Sequence, residues 1–311
     1  MTLATANYRA HTADKEMKVN MEQASGPDDF TIGRLPQMER EQFQQWAELL
    51  NRRTGMRLPD NRISFLVTNL GMRMRALGIN DYQQYFEYVQ SGRRGAIEWD
   101  RLIHHLTVHE TRFLRHESTL ALITERYLPA SPEQCPSEPM SIHAWSVGCS
   151  TGEEPYSLAM AIDQHMRELG CQYYLGVIAS DISRDAIARG KAGIYSERRI
   201  KDIDPAWRER YFTPTPDGDY QVVDELRRRV CFNQLNILDM DGAPIGEMDL
   251  IICHNLLIYF DQEQRIQIAD TLADHLLPGG ILMLGVGELL NWTHPRMERY
   301  HFANTLAFQR Q

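Results

Sequence analysis

No apolar run in this 311-residue sequence reaches the roughly 20 residues that span a bilayer. Residues 1–18 mix charged and polar side chains with Ala and Thr and hold no apolar core of the secretory kind. A cytoplasmic protein without direct membrane insertion is expected. Positive charge is short, with 33 Lys+Arg against 42 Asp+Glu, and the formal net charge of −9 disfavours general binding to nucleic acid or anionic membranes. Cysteine is scarce. Cys135, Cys149, Cys171, Cys231 and Cys253, spaced 14, 22, 60 and 22 residues apart, supply neither a Cys-x-x-Cys clip nor a dense disulfide framework, which fits a reducing compartment.

Charge is unevenly placed. From Arg40 to His116 there are 12 Arg, no Lys and 8 acidic residues, a local +4 that leaves the remainder at −13. Six arginines (Arg52, Arg53, Arg57, Arg62, Arg73, Arg75) fall between Leu49 and Ala76 with only Asp60 opposing them. Such a run is either a solvated helix face or a surface that steers an acidic partner.

Residues 1–35 are polar, aperiodic and broken by Gly26-Pro27, so a flexible tail is expected there. Residues 36–128 carry helical spacing, as in Phe43, Trp46, Ala47 and Leu50, or Tyr82, Tyr85, Phe86 and Val89, and predict a small all-α domain. Pro129, Pro132, Pro136 and Pro139 then mark a linker over 129–140. Over 141–311 apolar strand runs alternate with helical patterns, the grammar of a doubly wound, mostly parallel α/β sheet. Strands are predicted over 142–147, 174–180, 230–233, 249–254 and 281–286, and helices over 156–169 and 262–277, the second ended by Pro278-Gly279-Gly280. The stretch of about 195–229 fits neither period and reads as an inserted subdomain.

The first strand runs into Gly148-Cys149-Ser150-Thr151-Gly152-Glu153-Glu154-Pro155 and a helix, the nucleotide-site position of an open α/β sheet. The full three-glycine phosphate cradle is missing, and two carboxylates would repel phosphate. They suit a ligand with a cationic end, such as S-adenosylmethionine, or else simply favour the helix macrodipole. Asp181, at the end of the second strand, could hold a ribose diol or cap the following helix. His254 and Asn255 break the apolar run of the strand over 249–254, and Tyr259 follows as a ring for a sulfonium, a hydroxyl for an acceptor, or a core aromatic. No metal is expected, because His104, His105 and His109 lack a nearby Cys/Asp ligand set.

Four stretches together resemble the chemotaxis receptor glutamate O-methyltransferases: Thr107-Val108-His109-Glu110-Thr111-Arg112-Phe113-Leu114-Arg115, Ser150-Thr151-Gly152-Glu153-Glu154-Pro155-Tyr156-Ser157, Ala179-Ser180-Asp181-Ile182 and Asn255-Leu256-Leu257-Ile258-Tyr259-Phe260. The resemblance implies a sheet of the S-adenosylmethionine methyltransferase type with an inserted β-subdomain, preceded by a helical domain. It places cofactor contacts at His109, Thr111, Arg115, Glu154, Asp181, Asn236, Ile237, His254 and Asn255. Arg115, Tyr259 and His254 are the implied catalytic residues, Arg115 and Tyr259 framing the reacting centre. His109 stands where the family commonly has Asn, and His254 where it commonly has Arg, so an always-charged fork becomes an imidazole.

The implied activity is methyl transfer from S-adenosylmethionine to glutamate carboxylates on the cytoplasmic domain of methyl-accepting chemoreceptors, leaving S-adenosylhomocysteine. A monomer is expected. Two alternatives stay open, methylation of another protein or a small molecule, and a non-catalytic, cofactor-bound adaptor.

Overall fold

The computed structural model describes residues 37–107, 110–240, 243 and 245–311. The expected tail over 1–35 and the expected cofactor residue His109 lie outside the described residues.

Four helices share one core. α1 (Arg40–Thr54) starts with a reciprocal capping box between Glu39 and Gln42, buries Phe43, Trp46, Leu49 and Leu50, and ends at Gly55 with φ 75°. α2 (Ile63–Leu77) contributes Leu66, Leu70 and Met74, while α3 (Tyr82–Gln90), capped by the Asp81 side chain on the Gln84 amide, contributes Tyr82, Tyr85 and Val89. α4 (Gly92–Leu106) adds Leu102, Ile103 and Leu106. One of the six clustered arginines belongs to this interior: Arg73 grips the buried Glu98 carboxylate with two bonds of 2.8 Å, and Tyr85 donates to it at 2.9 Å.

The predicted all-α stretch of 36–128 divides at this point. α5 (Glu117–Leu122), continued by a π turn at Ile123–Tyr127, does not join that core. Phe113, Leu122, Ile123 and Leu128 are buried instead with the sheet, because their apolar positions meet α6 and its neighbours.

The remainder runs β1 (Met140–Val147), α6 (Glu153–Leu169), β2 (Tyr173–Asp181), α7 (Arg184–Ala192), β3 (Ile194–Tyr195), α8 (Glu197–Ile200), α9 (Pro205–Tyr211), β4 (Phe212–Pro214), β5 (Tyr220–Val222), α10 (Asp224–Arg227), β6 (Val230–Gln234), β7 (Met248–Cys253), α11 (Gln262–Asp274), β8 (Leu276–Leu284), β9 (Met297–Tyr300) and β10 (Leu306–Arg310). Seven strands form one sheet in the order β6-β2-β1-β7-β8-β10-β9, parallel up to β8 and antiparallel beyond it. Side chains of β1 alternate between its faces: Ile142 and Ala144 pack with α6, and Trp145 and Val147 with α11. The antiparallel β3-β5-β4 sheet forms the insertion between α7 and β6.

Three expectations are corrected. The helix predicted over 262–277 stops at Asp274, and Pro278-Gly279-Gly280 lies inside β8. Leu276 pairs with Met248, the register then shifts, and a Cβ at Gly280 would sit 2.9 Å from the Asp249 carbonyl. The antiparallel edge, β9 and β10, was not among the predicted strands. Finally, Cys135 and Cys171 are bonded as a disulfide across 36 residues, joining the proline-rich segment to the start of β2.

Candidate active site

The turn after β1 sits at the carboxyl ends of the parallel strands. Gly148 (φ 74°) and Gly152 (φ 98°) adopt conformations open to glycine, and a Cβ at Gly152 would lie within 3.0 Å of Tyr195, Gly190 and Phe232. The Gly148 and Cys149 amides donate to the Ser180 carbonyl at 2.8 and 2.9 Å, fixing the turn against β2.

Asp181 takes its two shortest bonds from this scaffold. Its Oδ2 accepts from the Ser150 amide at 2.9 Å and its Oδ1 from the Ser183 amide at 2.8 Å. The Ile182 amide bonds the same carboxylate. Burial raises its pKa, and these amide bonds oppose the rise. The helix-cap alternative falls away, because the cap of α7 is Ser183, whose hydroxyl accepts from Ala186.

The two adjacent glutamates part company. Glu153 is fully buried, bonded by the Thr151 hydroxyl at 2.7 Å and by Arg199 of the insertion at 3.0 Å, and burial raises its pKa. Arg199 also donates to the Thr111 carbonyl at 2.8 Å, so the insertion braces the stretch before α5. Glu154 instead faces a cleft. Its Oε1 accepts from Ser146 at 2.7 Å and its Oε2 lies 3.3 Å from His254 Nδ1. Burial opposes its ionisation, yet His254, the Ser146 hydroxyl and His116 together hold its pKa below the usual glutamate range.

His116 went unnoticed in the sequence. Its ring centroid lies 4.1 Å from that of His254, and burial followed by the charge of His254 lowers its pKa to about 4. Ligand-type atoms of His116, Glu154 and His254 lie within 4.8 Å of one another. This metal-type donor set differs from the histidines considered from the sequence; His104 Nδ1 lies 3.1 Å from Ser183 Oγ.

Two clefts meet at Gly148, Ser150 and Asn255. The first, of about 630 Å³, is lined by Thr111, Arg115, His116, Glu154 and His254. The second, of about 640 Å³, is lined by Asp181, Asn236, Ile237, Leu256, Tyr259 and Phe260, together with Thr54 and Met56 of the helical unit. Every described site residue expected from the sequence therefore lines a crevice made of these two adjoining clefts, with Arg115 and Tyr259 in different halves. Thr54, Met56 and His116 were missed, as was Glu288, a buried carboxylate whose Oε2 accepts from the Leu257 amide at 3.2 Å behind the Asn255–Tyr259 loop.

An anionic carboxylate in one half, a second carboxylate at a strand end in the other, and apolar walls beside it suit an ammonium, a ribose and an adenine. Fold and crevice define an S-adenosylmethionine-dependent methyltransferase. A family description, the CheR methyltransferase SAM binding domain, matches residues 109–306, and the CheR methyltransferase all-alpha domain matches residues 41–107. Chemotaxis protein methyltransferase 2 of Vibrio cholerae serotype O1 is 33% identical over 250 residues, covering 80% of this chain and 85% of that protein. The chemotaxis protein methyltransferase of Klebsiella aerogenes is 33% identical over 251 residues (79% and 82% covered), and that of Escherichia coli K12 is 31% identical over 255 (81% and 85%). The chain belongs to the CheR methyltransferase family. No helix among the described residues is long and apolar enough to cross a membrane.

Proposed function

We propose that this enzyme methylates glutamate side chains on the cytoplasmic domain of chemoreceptors, acting as a cytoplasmic monomer. The observation that carries the reading is the pair of adjoining clefts that share Gly148 and Ser150, one lined by Glu154 and the other by Asp181. When bound, S-adenosylmethionine supplies an electrophilic methyl group on a cationic sulfur. Asp181 holds the ribose, Glu154 the ammonium, and Asn236 and Ile237 flank the base. Thr111 lines the ammonium half. His254, hydrogen-bonded to Glu154, orients that carboxylate.

A substrate glutamate needs no general base, since its reference pKa of about 4.3 leaves it ionised at neutral pH. Neutralising a carboxylate against a sulfonium is favoured where water is excluded. Arg115 and Tyr259 align the acceptor from the two halves, with Asn255 between them, and alignment is the main contribution asked of them.

The test is transfer of labelled methyl groups to receptor-containing membranes, read as base-labile methanol. Labelling that survives base would point to a different acceptor. Cofactor binding without any transfer would support an adaptor.

A further inference from the structure

The residues that close the Asp181 half of the crevice come partly from the helical unit. Thr54 is buried at the end of α1, its hydroxyl donating to the Leu50 carbonyl at 2.6 Å and accepting from the Met56 amide at 3.1 Å. Between them Gly55 turns the chain in the left-handed region, and a Cβ there would meet Leu238 Cδ1 at 2.0 Å and Phe260 at 3.2 Å. The helix end is thus pressed against the loops that follow β6 and β7.

Both loops are tied to it. The Arg57 amide donates to the Tyr259 carbonyl at 2.9 Å, Arg57 Nε lies 3.0 Å from Asp261 Oδ2, and Asn236 Nδ2 donates to the Arg53 carbonyl at 3.4 Å. Thr54 and Met56 line the cleft that also holds Asp181, Asn236 and Ile237. Met56 is half-buried there, an adaptable apolar side chain on the cleft wall.

We infer that the segment Thr54–Arg57 of the helical unit is a wall of the adenosine subsite, with Met56 a cofactor-contacting residue and Arg57 a positioning residue for Tyr259. The inference rests on the proposed seating of ribose at Asp181. It gives the helical unit a part in cofactor binding besides any part in partner recognition. Met56→Ala removes apolar contact worth about one to two buried CH2 groups, which corresponds to about a fourfold to fifteenfold loss of affinity.

The experiment is calorimetric titration of the full chain with S-adenosylhomocysteine. Met56→Ala should weaken binding about tenfold and Met56→Leu should restore it to within about threefold, since the apolar contact returns. The unliganded melting temperature of both variants is compared with that of wild type, so that a folding defect is separated from a lost contact. Arg57→Ala, which keeps the amide bond to Tyr259 but removes the side-chain tie to Asp261 two residues further on, should lower kcat while leaving the S-adenosylhomocysteine affinity within about twofold; an unchanged kcat would remove the Arg57 side chain from any positioning part. If Met56→Ala binds like wild type while Asp181→Ala does not, the wall assignment is overturned and the methyltransferase site stands. If Asp181→Ala also binds like wild type, the seating of the adenosine itself is wrong and both fall.

Discussion

Around Glu154 the crevice is lined by groups that carry or exchange charge, Arg115, His116 and His254, whereas around Asp181 it is lined largely by Met56, Leu235, Ile237 and Phe260. The polar half is held by side-chain hydrogen bonds among strand ends and α6. The apolar half is held by packing between two separately cored parts of the chain, with the Arg57–Tyr259 and Asn236–Arg53 bonds and the Arg57–Asp261 ion pair at its margin. Polar sites of the first kind announce themselves in sequence, because a charged residue at a strand end needs a reason. Sites of the second kind are ordinary hydrophobic positions until the fold brings them together.

The largest expected effect touches neither half and serves as a control on both. The Cys135–Cys171 bond closes a 36-residue interval and lies at the amino-terminal end of β2, across the sheet from the crevice. By loop-closure entropy, Cys135→Ser should cost about 3 to 4 kcal/mol of stability. Urea unfolding of the variant should show this loss, with S-adenosylhomocysteine affinity unchanged. An unaltered unfolding midpoint would mean the bond contributes nothing in solution.

Next come the carboxylates themselves. Asp181→Ala should weaken cofactor binding by about 1.5 to 3 kcal/mol through lost charge-assisted bonds, and Glu154→Gln should fall in the same range. The comparison predicts opposite pH signs for the two halves. His116, with a folded pKa of about 4 against 6.5 unfolded, binds its proton later in the native state, so its contribution to stability is present above pH 6.5 and lost as pH falls toward 4. Asp181, with its pKa raised by burial, contributes stability that is present below its unfolded value of 3.8 and lost as pH rises through the folded one. Unfolding midpoints from pH 7 to 4 should therefore decline less steeply in His116→Asn than in wild type. Identical slopes would remove His116 from the half-buried, neutral state assigned to it.

Smaller effects separate alignment from binding. Arg115→Ala and Tyr259→Phe should lower kcat more than they weaken cofactor affinity, because their part is to orient the acceptor. Equal, slight effects on both quantities would place them in packing roles.

What was legible in the sequence follows the same division. Asp181, His254 and Asn255 stood out as polar residues at the ends of apolar runs and Glu154 as a carboxylate in the strand-to-helix turn, while Tyr259 drew its weight chiefly from the resemblance to a family. His116 lies beside Arg115 in the chain, yet its meaning depends on His254, which only the sheet brings to it. Glu288 lies beyond the last predicted strand, and its part is to accept backbone amides of the Asn255–Tyr259 loop, which no residue pattern displays. The helix predicted to run to Leu277 failed for a similar reason: Leu276 and Leu277 continue the helical period, but pairing with Met248 draws the chain into β8. The edge strands β9 and β10 are short and partly exposed, so their alternation was too brief to register.

The arginine cluster between Leu49 and Ala76 is the feature whose meaning the fold narrows most. Arg73 is spent on Glu98 inside the helical unit, Arg57 is paired with Asp261, and Arg53 lies over the Trp99 ring at 4.6 Å. Arg53 and Arg57 stay exposed, but Arg52, Arg62 and Arg75 are exposed and make no ion pair among the described residues, which leaves them the freest to face an acidic receptor segment. Exposed, salt-screened charges contribute about 0.2 to 0.5 kcal/mol each, so the triple change to Gln, about 0.6 to 1.5 kcal/mol in all, should raise the KM for receptor by roughly threefold to tenfold. Cofactor affinity should stay constant, since none of the three lines the crevice. Long-range attraction is screened by salt, so wild-type methylation should slow between about 0.05 and 0.3 M salt and the variant should slow less. If wild type and variant share one KM and neither responds to salt, the exposed arginines are a solvated helix face, and receptor recognition resides elsewhere on the molecule.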